Sequence, residues 1–336
     1  MTLEPIDPET ALELYLADRE TELAESSIKR YEYLLNHFVR WCDEREIENL
    51  NSLSGRMLQE FRIWRRKDGD INKVTENKQM KAVRVFIGWL ESIDGVEQDL
   101  RQKVRIPTLS AQEGSRDVML EEDRAKEILT WLGKYHYAGL EHVTLSLLWH
   151  TMIRTGSARA IDIEDYCPVE QYIDLQHRPD RGTPLKNKGR GERLIALSDD
   201  MCELLDDWIA AKHPQTRDKF GREPLLATRK GRIARTTLKN YVYQWSRPCV
   251  IGEDCPHDRD PDDCEATSRN HYSKCPSSVS PHAIRRGSIT YGLNNDLPDQ
   301  VISDRANVSP GILDKHYDRR TDREKMEQRR GYLDNI

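Results

Sequence analysis

The sequence has no apolar run that approaches the length of a membrane span. A bilayer span needs roughly 20 consecutive apolar residues, whereas this chain of 336 residues is 33% charged and 37% hydrophobic. Its opening, MTLEPIDPETALELY, is acidic and lacks the basic and then apolar pattern of a secretory signal. The sequence therefore predicts a protein without a membrane partner, which we expect in the cytoplasm.

An excess of positive charge is also missing, because the formal net charge is −6. Since Lys and Arg supply most of the affinity for phosphate, this sum argues against a nucleic-acid partner. The distribution argues for one, because residues 61–67, 185–193, 228–240 and 284–287 are locally basic while 254–265 is acidic. A single basic stretch is usually solvated surface. Four such stretches, however, are compatible with a DNA partner.

The chain contains no internal repeat and no low-complexity tract, and its length suits two domains. Residues 1–104 carry four amphipathic helical patterns, which predict a compact helical bundle. Residues 105–117 contain Pro107, Gly114 and small polar residues without a clear period, and we interpret them as a linker.

Residues 118–336 combine helical patterns with three short strand-like runs. The runs YIDL, TPLK and ERLIALS, at 172–175, 183–186 and 192–198, predict a three-stranded antiparallel sheet. The fold class is therefore mainly α with a small antiparallel sheet: an N-terminal helical bundle followed by a mixed α/β domain.

Paired C-x-x-C motifs are absent, although four of the seven cysteines lie within residues 249–275. A structural zinc site takes four ligands, and this segment offers six: Cys249, Cys255, Cys264 and Cys275, with His257 and His271 as alternates. Free thiols are the alternative interpretation. If zinc binds, we expect it to stabilise an acidic insertion that has little apolar content of its own.

The stretch TMIRTGSARAIDIEDY begins a series of motifs that resembles the tyrosine recombinase, or phage integrase, family. Arg154 takes the place of the family's first arginine, and Asp165 that of an aspartate about eleven residues later. Met152 stands where Gly is usual, and Ser157 where a structural Glu is usual.

The later motifs follow in the family's order. TPLKNKGRGERLIAL resembles its β-hairpin with a catalytic lysine, for which Lys186, at the end of the second strand, is favoured over Lys188. PHAIRRG resembles its H-x-x-R, with His282 and Arg285 as the matching residues. Arg286, next to them, is expected at the surface or on a backbone phosphate.

The last motif, VISDRANVSPGILDKHYDRR, resembles the segment that carries the family's nucleophile. Tyr317 falls at the position of that nucleophile, and Asn307 occupies the place of the usual second histidine. Together the motifs cover residues 154–317, and the helical bundle before them corresponds to the family's core-binding, SAM-like domain.

The resemblance implies a recombinase that cuts and rejoins specific sites in double-stranded DNA through a 3′-phosphotyrosyl bond. Two guanidiniums would hold the scissile phosphate, and a lysine would protonate the leaving 5′-oxygen. The resemblance implies no cofactor for catalysis and a homotetramer on paired sites. The insertion at 249–275 and the sequence TPLKN resemble segments of integrases from archaeal mobile elements.

Two other interpretations stay open at this stage. A zinc-containing DNA-binding protein that lost catalysis would fit the departures at Met152, Ser157 and Asn307. A type IB topoisomerase-like enzyme would share the nucleophile and the arginines. The presence of Tyr317 with both arginines favours a catalytic protein over the first of these.

Overall fold

A computed structural model describes residues 3–110, 113, 118–318 and 320–330. The chain divides into two compact units, residues 1–116 and residues 117–336. Throughout the described part, every helix is too short or too polar to cross a bilayer.

The first unit is the predicted bundle of four helices. They are α1 (Pro8–Arg19), α2 (Glu25–Glu44), α3 (Gly55–Gly69) and α4 (Lys73–Ser92). Polar residues before three of them accept hydrogen bonds from first-turn amides, which fixes where these helices begin: Asp7, Ser54 and Asn72. Aromatic side chains from α2, α3 and α4 meet edge to face in the core, where Phe38 and Phe61 lie 5.2 Å apart.

The second unit contains the remaining helices. They are α5 (Glu122–Tyr135), α6 (Leu140–Thr151), α7 (Thr155–Ala160), α8 (Asp199–Asp207), α9 (Arg235–Trp245), α10 (Pro281–Asn294), α11 (Asp299–Ala306), α12 (Pro310–His316) and α13 (Asp322–Arg330). One hydrophobic cluster joins α5, α6, α8 and α9 to the sheet. A second, smaller cluster lies beneath the C-terminal helices and includes Met152, Leu313 and Tyr317.

The strands form one three-stranded antiparallel sheet and a separate hairpin. The sheet consists of β1 (Tyr166–Cys167), β2 (Tyr172–Leu175) and β3 (Arg193–Ala196), with β2 in the centre. The hairpin consists of β4 (Ala227–Thr228) and β5 (Gly231–Arg232). The fold class predicted from the sequence, mainly α with a small antiparallel sheet, is confirmed.

The strand predicted at 183–186 is wrong, and Lys186 does not end a strand. Thr183 makes only an isolated bridge to Arg178, and Lys186 lies in a turn. Pro184 has no amide to donate to a ladder, and the amide of Leu185 donates instead to the His177 ring, 2.9 Å away. The third strand of the sheet is β1.

A glycine lets the start of the second unit cross α10 at close range. The amide of Leu120 donates to the carbonyl of Ala283 at 3.0 Å. A Cβ on Gly287 would lie 1.9 Å from the carbonyl oxygen of Leu120, so no larger residue fits there. This contact fixes α10, the helix that carries His282 and Arg285.

Candidate active site

Arg154 is the N-cap residue of α7, directly after the loop that leaves α6. Its Nη2 donates a hydrogen bond to the main-chain oxygen of Asn307, 3.1 Å away. Within the described residues it forms no ion pair, and Asp162, eight residues further along the chain, pairs with three other arginines. Burial lowers the pKa of Arg154, while Tyr317 raises it through its charge. Arg154 therefore keeps an uncompensated positive charge beside Tyr317.

Arg285 lies on α10 and is buried, with 3% of its surface exposed. Nη1 donates to the carbonyl of Met152 and Nη2 to the carbonyl of Ala306, at 2.6 Å in the second case. Both carbonyls end helices, so the guanidinium satisfies acceptors that have no partner within their own helix. The pKa of Arg285 is lowered to about 10, mainly by burial and then by the charge of Arg154, while Tyr317 acts in the opposite direction.

Tyr317 ends α12, and 6% of its surface is exposed. Its amide donates to the carbonyl of Leu313 at 2.9 Å, and its carbonyl accepts from the hydroxyl of Thr290 on α10 at 3.1 Å. Its hydroxyl raises the pKa of Arg285 and, through its charge, that of Arg154, so it lies close enough to interact with both guanidiniums. The packing of α12 on α10 thus holds a phenol hydroxyl beside both guanidiniums.

Asn307 connects this cluster to the loop between β2 and β3. It follows α11 in the left-handed conformation, with φ 51°, which Asn tolerates better than most residues. Its Nδ2 donates to the carbonyl of Arg190 at 2.6 Å, and its Oδ1 accepts from Asn187 Nδ2 at 2.9 Å. Its main-chain oxygen accepts from Arg154. One residue therefore touches both the first arginine and the lysine-bearing loop.

That loop carries both of the predicted lysines in exposed positions. The side chains of Lys186 and Lys188 form no hydrogen bond or ion pair with a described residue, although the Lys188 amide donates to the carbonyl of Leu185 at 3.2 Å. The loop closes tightly, since a Cβ on Gly191 would lie 2.7 Å from the carbonyl oxygen of Lys186. The structure therefore brings the loop to the site but does not distinguish the two lysines.

His282 lies in the first turn of α10 and is exposed. It precedes Arg285 by three residues, which places the two side chains on one face of the helix. Arg286, in contrast, is 5% exposed, so its expected position at the surface is wrong. The reason is that α10 is covered on nearly every side: ten of its residues are buried.

A third arginine at the site was not predicted from the sequence. Arg193, the first residue of β3, has a pKa lowered to about 10 by burial and then by the charges of Arg285, Arg154 and Arg305. Its Nε and Nη2 donate to the carbonyl of Arg305 at 3.0 and 2.9 Å. In the sequence it is only the arginine of ERLIAL, and nothing in that short run indicates that it faces the other arginines.

Asp165 has a structural position rather than one beside Tyr317. It accepts two hydrogen bonds from Arg178, at 2.9 and 2.5 Å, and a third from the amide of Asp162 at 2.9 Å. These bonds fix the turn between α7 and β1, and so the chain that leaves Arg154.

The predicted zinc ligands lie in a segment of short turns between α9 and α10. Cys249, Cys255, Cys264 and Cys275 are free and partly buried. Burial raises the pKa of the Cys249 thiol, Arg247 lowers it, and the nearby Cys275 and Cys255 raise it further. His257 Nε2 lies 2.7 Å from the hydroxyl of Ser277. Across the described residues, no three His, Cys, Asp or Glu side chains are gathered closely enough to hold a metal ion.

The chain is similar in sequence to proteins of the phage integrase type. Residues 12–92 match the family described as the phage integrase N-terminal SAM-like domain. An Escherichia coli protein described as a probable site-specific recombinase in the afa region is 26% identical over 167 residues, or 48% of this chain and 55% of that protein. The chain thus matches about half the length of this relative.

Two solved structures share the fold over nearly the whole chain. The integrase of transposon Tn1549, in complex with a circular intermediate DNA, has a TM-score of 0.66 at 12% identity and covers 97% of this chain and 99% of its own. A lambda integrase dimer bound to a COC′ core site has a TM-score of 0.61 at 10% identity and covers 97% of this chain and 78% of its own.

Residues 12–92 therefore match the phage integrase SAM-like domain family, and the chain as a whole is similar to site-specific recombinases and integrases. Neither the DNA-binding-only nor the topoisomerase-like interpretation is favoured by these matches. At Met152 and Asn307, two of the three positions that depart from the tyrosine recombinase motifs, the structure shows what the replacing residues contact.

Met152 replaces the family's usual glycine and ends α6 in the left-handed conformation, with φ 57°. Glycine adopts that conformation without strain, whereas methionine does not. Its side chain is 4% exposed and packs in the same cluster as Tyr317. The methionine therefore keeps a strained backbone and gains apolar packing against the segment that carries Tyr317.

Proposed function

We propose that this chain is a site-specific DNA recombinase or integrase that acts on double-stranded DNA in the cytoplasm through a 3′-phosphotyrosyl intermediate. One observation supports this most directly: buried Tyr317, held on α10 through Thr290, interacts electrostatically with both Arg285 and Arg154. Neither arginine pairs with a carboxylate of a described residue. Unpaired guanidiniums beside a phenol hydroxyl suit a site that receives a phosphodiester.

The proposed reaction exchanges one phosphate ester for another. Tyr317 Oη attacks the phosphorus and loses its proton, and the bond from phosphorus to the 5′-oxygen breaks. Arg154 and Arg285 stabilise the extra negative charge of the phosphorane. His282 and the cations favour the phenolate, and Lys186, or alternatively Lys188, gives the 5′-oxygen a proton. Attack by another 5′-hydroxyl on the phosphotyrosyl bond reverses these steps and rejoins the strand.

The burial of the reacting groups defines the form of the site before DNA binds. With Tyr317 6% exposed and Arg285 3% exposed, a phosphodiester has no direct access to either. The segment with α12 and Tyr317 must therefore shift when DNA enters. In this form Asn307 acts as a positioning residue, since it holds the lysine loop and Arg154 together.

The two units have separate roles in this proposal. Residues 1–104 serve as the core-binding domain and residues 118–336 as the catalytic domain, acting as a homotetramer on paired sites. Support for the first role comes from the match of residues 12–92 to the SAM-like domain. Support for a DNA partner comes from the DNA complexes of the Tn1549 and lambda integrases.

A nicked-duplex assay tests the proposal. Nicked duplexes tiled across the DNA that flanks the gene trap a covalent protein–DNA adduct, because the cleaved end is lost by diffusion. We expect adducts with the wild type and with the control Tyr291→Phe, a partly buried tyrosine on α10. We expect none with Tyr317→Phe and at least a hundredfold fewer with Arg285→Ala.

Other outcomes of this assay would reject the proposal. A wild type that shifts every duplex and traps none would be a DNA-binding protein without catalysis. Adduct formation with supercoil relaxation, but without exchange between two sites, would indicate a topoisomerase-like enzyme.

Zinc in the insertion at 249–275 stays a proposal, with a structural rather than catalytic role. Its support is the chemistry of the donors and the electrostatic interaction of Cys249 with Cys255 and Cys275. Metal analysis of protein purified without chelator should find about one zinc per chain. Seven titratable thiols without bound metal would reject it.

A further inference from the structure

The second unit contains another positively charged site, separate from the one around Tyr317. It is a pocket of about 250 Å³ between the end of α7, the turn at 179–182, the loop at 217–220 and the β4–β5 hairpin. Six basic side chains line it, against one carboxylate, Asp218: Arg159, Arg181, Arg217, Lys219, Lys230 and Arg232.

The carboxylates at and near this pocket already form ion pairs with arginines. Asp218 pairs with Arg232 at 2.8 Å and with Arg222 at 3.1 Å. Asp162, 1% exposed, also pairs with both arginines, at 3.0 Å for Arg222. Arg217 is paired with Glu223 at 2.8 Å. Asp218, the one carboxylate that lines the pocket, is therefore already paired with arginines.

Four of the lining cations remain without a partner carboxylate among the described residues. Arg181, Lys219 and Lys230 are exposed and form no ion pair there. Arg159 is half-buried and donates only to main-chain oxygens, of Ile233 at 3.0 Å and of Gly182 at 3.4 Å. Burial and then the charge of Arg232 lower the pKa of Arg159. Excess positive charge in a partly enclosed site favours an anion.

The size of the pocket indicates the kind of anion. Small-molecule sites usually measure about 300–1,000 Å³ and are mostly apolar, so a pocket of about 250 Å³ lined by cations suits a single phosphate group better. Guanidinium and ammonium groups are the usual ligands of phosphate. A phosphodiester and a free phosphate share this chemistry.

The chain connects the pocket to Tyr317's surroundings by two short routes. Arg154 and Arg159 are five residues apart, which corresponds to about 7.5 Å of helix axis. Gly182 at the pocket and Asn187 at Asn307 are also five residues apart, which spans at most about 18 Å. A DNA strand carries a phosphate about every 3.4 Å of its axis. A strand whose scissile phosphate lies at Arg154 therefore has further phosphates within this range.

We propose that this pocket binds a backbone phosphate of the DNA at a fixed distance from the scissile one. The inference rests on the proposed function, and it adds a positioning contact that the catalytic motifs do not include. Since it is a phosphate contact, it sets the register of the strand without reading sequence.

A charge-matched pair of double variants tests the site in the full-length protein. Arg181→Gln with Lys230→Gln removes two pocket cations, whereas Arg259→Gln with Lys134→Gln removes two exposed cations elsewhere. Fluorescence anisotropy with a duplex, over a range of salt concentrations, gives the salt dependence of binding. Each lost phosphate contact lowers that slope by about one. We expect a slope lower by one to two, and affinity at least tenfold weaker at 0.15 M salt, for the pocket variant only.

The outcomes separate this inference from the proposed function. At saturating protein, the pocket variant should trap the covalent adduct to the same final extent as the wild type. Equal salt slopes for wild type and pocket variant would overturn the inference even if adducts form. A wild type without adducts would overturn the proposed function. Inorganic phosphate that raises the Tm of the wild type but not of the pocket variant, with DNA slopes unchanged, would assign the pocket to a free anion and overturn the DNA contact.

Discussion

Main-chain carbonyl oxygens, rather than carboxylates, hold the arginine side chains of the site in place. Arg285 donates to the carbonyls of Met152 and Ala306, and Arg154 donates to that of Asn307. Carbonyls at helix C-termini carry partial negative charge, so they hold two guanidiniums close together without a carboxylate. A carboxylate would neutralise the cations, whereas carbonyls leave their full charge available to a phosphate.

Asn307 is the residue at which this arrangement is easiest to test. Asn307→Gly removes two side-chain hydrogen bonds, to Asn187 and Arg190, while glycine keeps the left-handed backbone without strain. Two such bonds stabilise by about 1–3 kcal/mol in total. We expect single-turnover cleavage of a nicked duplex to slow about tenfold or more, with little change in DNA affinity.

The control for this prediction separates positioning from stability. Asn307→Gln keeps an uncharged amide that can still accept from Asn187 and donate to Arg190, so it should recover part of the cleavage rate. If Asn307→Gly cleaves at the wild-type rate, Asn307 does not position the loop. If the rate falls only in proportion to a lower Tm, its role is structural.

At the scale of elements, the end of α6 combines strain with packing at one residue. Met152→Gly relieves a left-handed methionine, worth about 1–2 kcal/mol, but removes a buried side chain, which costs about 2–5 kcal/mol. We expect the free energy of unfolding to fall by about 1–3 kcal/mol in urea titrations. Met152→Ala, which keeps the strain, should be less stable than Met152→Gly; the opposite order would show that strain at this residue is negligible.

The same helix contains a histidine that makes stability depend on pH. Burial lowers the pKa of His142 from 6.5 to about 4, with the charge of Glu141 opposing it and those of Lys212 and His150 adding to it. Between these values the unfolded chain binds a proton that the folded chain does not, so stability rises with pH and is lost as pH falls from 6.5 toward 4. The loss between pH 7.5 and pH 5 is about 2 kcal/mol.

A variant isolates this contribution from other groups that titrate. His142→Asn retains an acceptor for the amide of Ala138, which donates to His142 Nδ1 at 3.3 Å, but has no proton to bind. Urea unfolding at pH 7.5 and pH 5 should show a smaller loss for the variant than for the wild type. An equal loss in both proteins would place the acid sensitivity elsewhere.

Elements with a strong helical period were predictable from the sequence, and contacts between distant residues were not. The stripes of α2 and α4 specify helices locally, and the motif spacing selected Arg154, Arg285 and Tyr317 as candidates, which stay predictions as catalytic residues. The run TPLK has strand-like residues, yet Pro184 and the bond from Leu185 to His177 keep it out of the sheet. Likewise, Asn307 lies 120 residues from Asn187 in sequence. Such pairings depend on the tertiary fold, which a single local pattern does not contain.

Among the described residues, each unit of the molecule has hydrophobic clusters of its own, one in the first unit and two in the second. The buried residues of the first unit's cluster end at Val104. Those of the other two clusters lie at Leu120 and beyond. The net charge of −6 is also a property of the whole and conceals the local excess of cations at the pocket and at Tyr317. Averages over the chain therefore describe neither unit.

Separate cores imply separate cooperative units, which hydrogen exchange can resolve. Phe61 is fully buried, 5.2 Å from Phe38 and 5.6 Å from Trp41, and Phe61→Ala should cost about 3–5 kcal/mol. Amides of α2 and α4 should then exchange at least about 100 times faster, with no change in α6 and α10. Val143→Ala, at a fully buried residue of α6, should give the reverse pattern. Faster amide exchange in all four helices with either variant would mean that the two units unfold together. Only a shared unfolding transition lets a loss of packing in one unit speed exchange in the other.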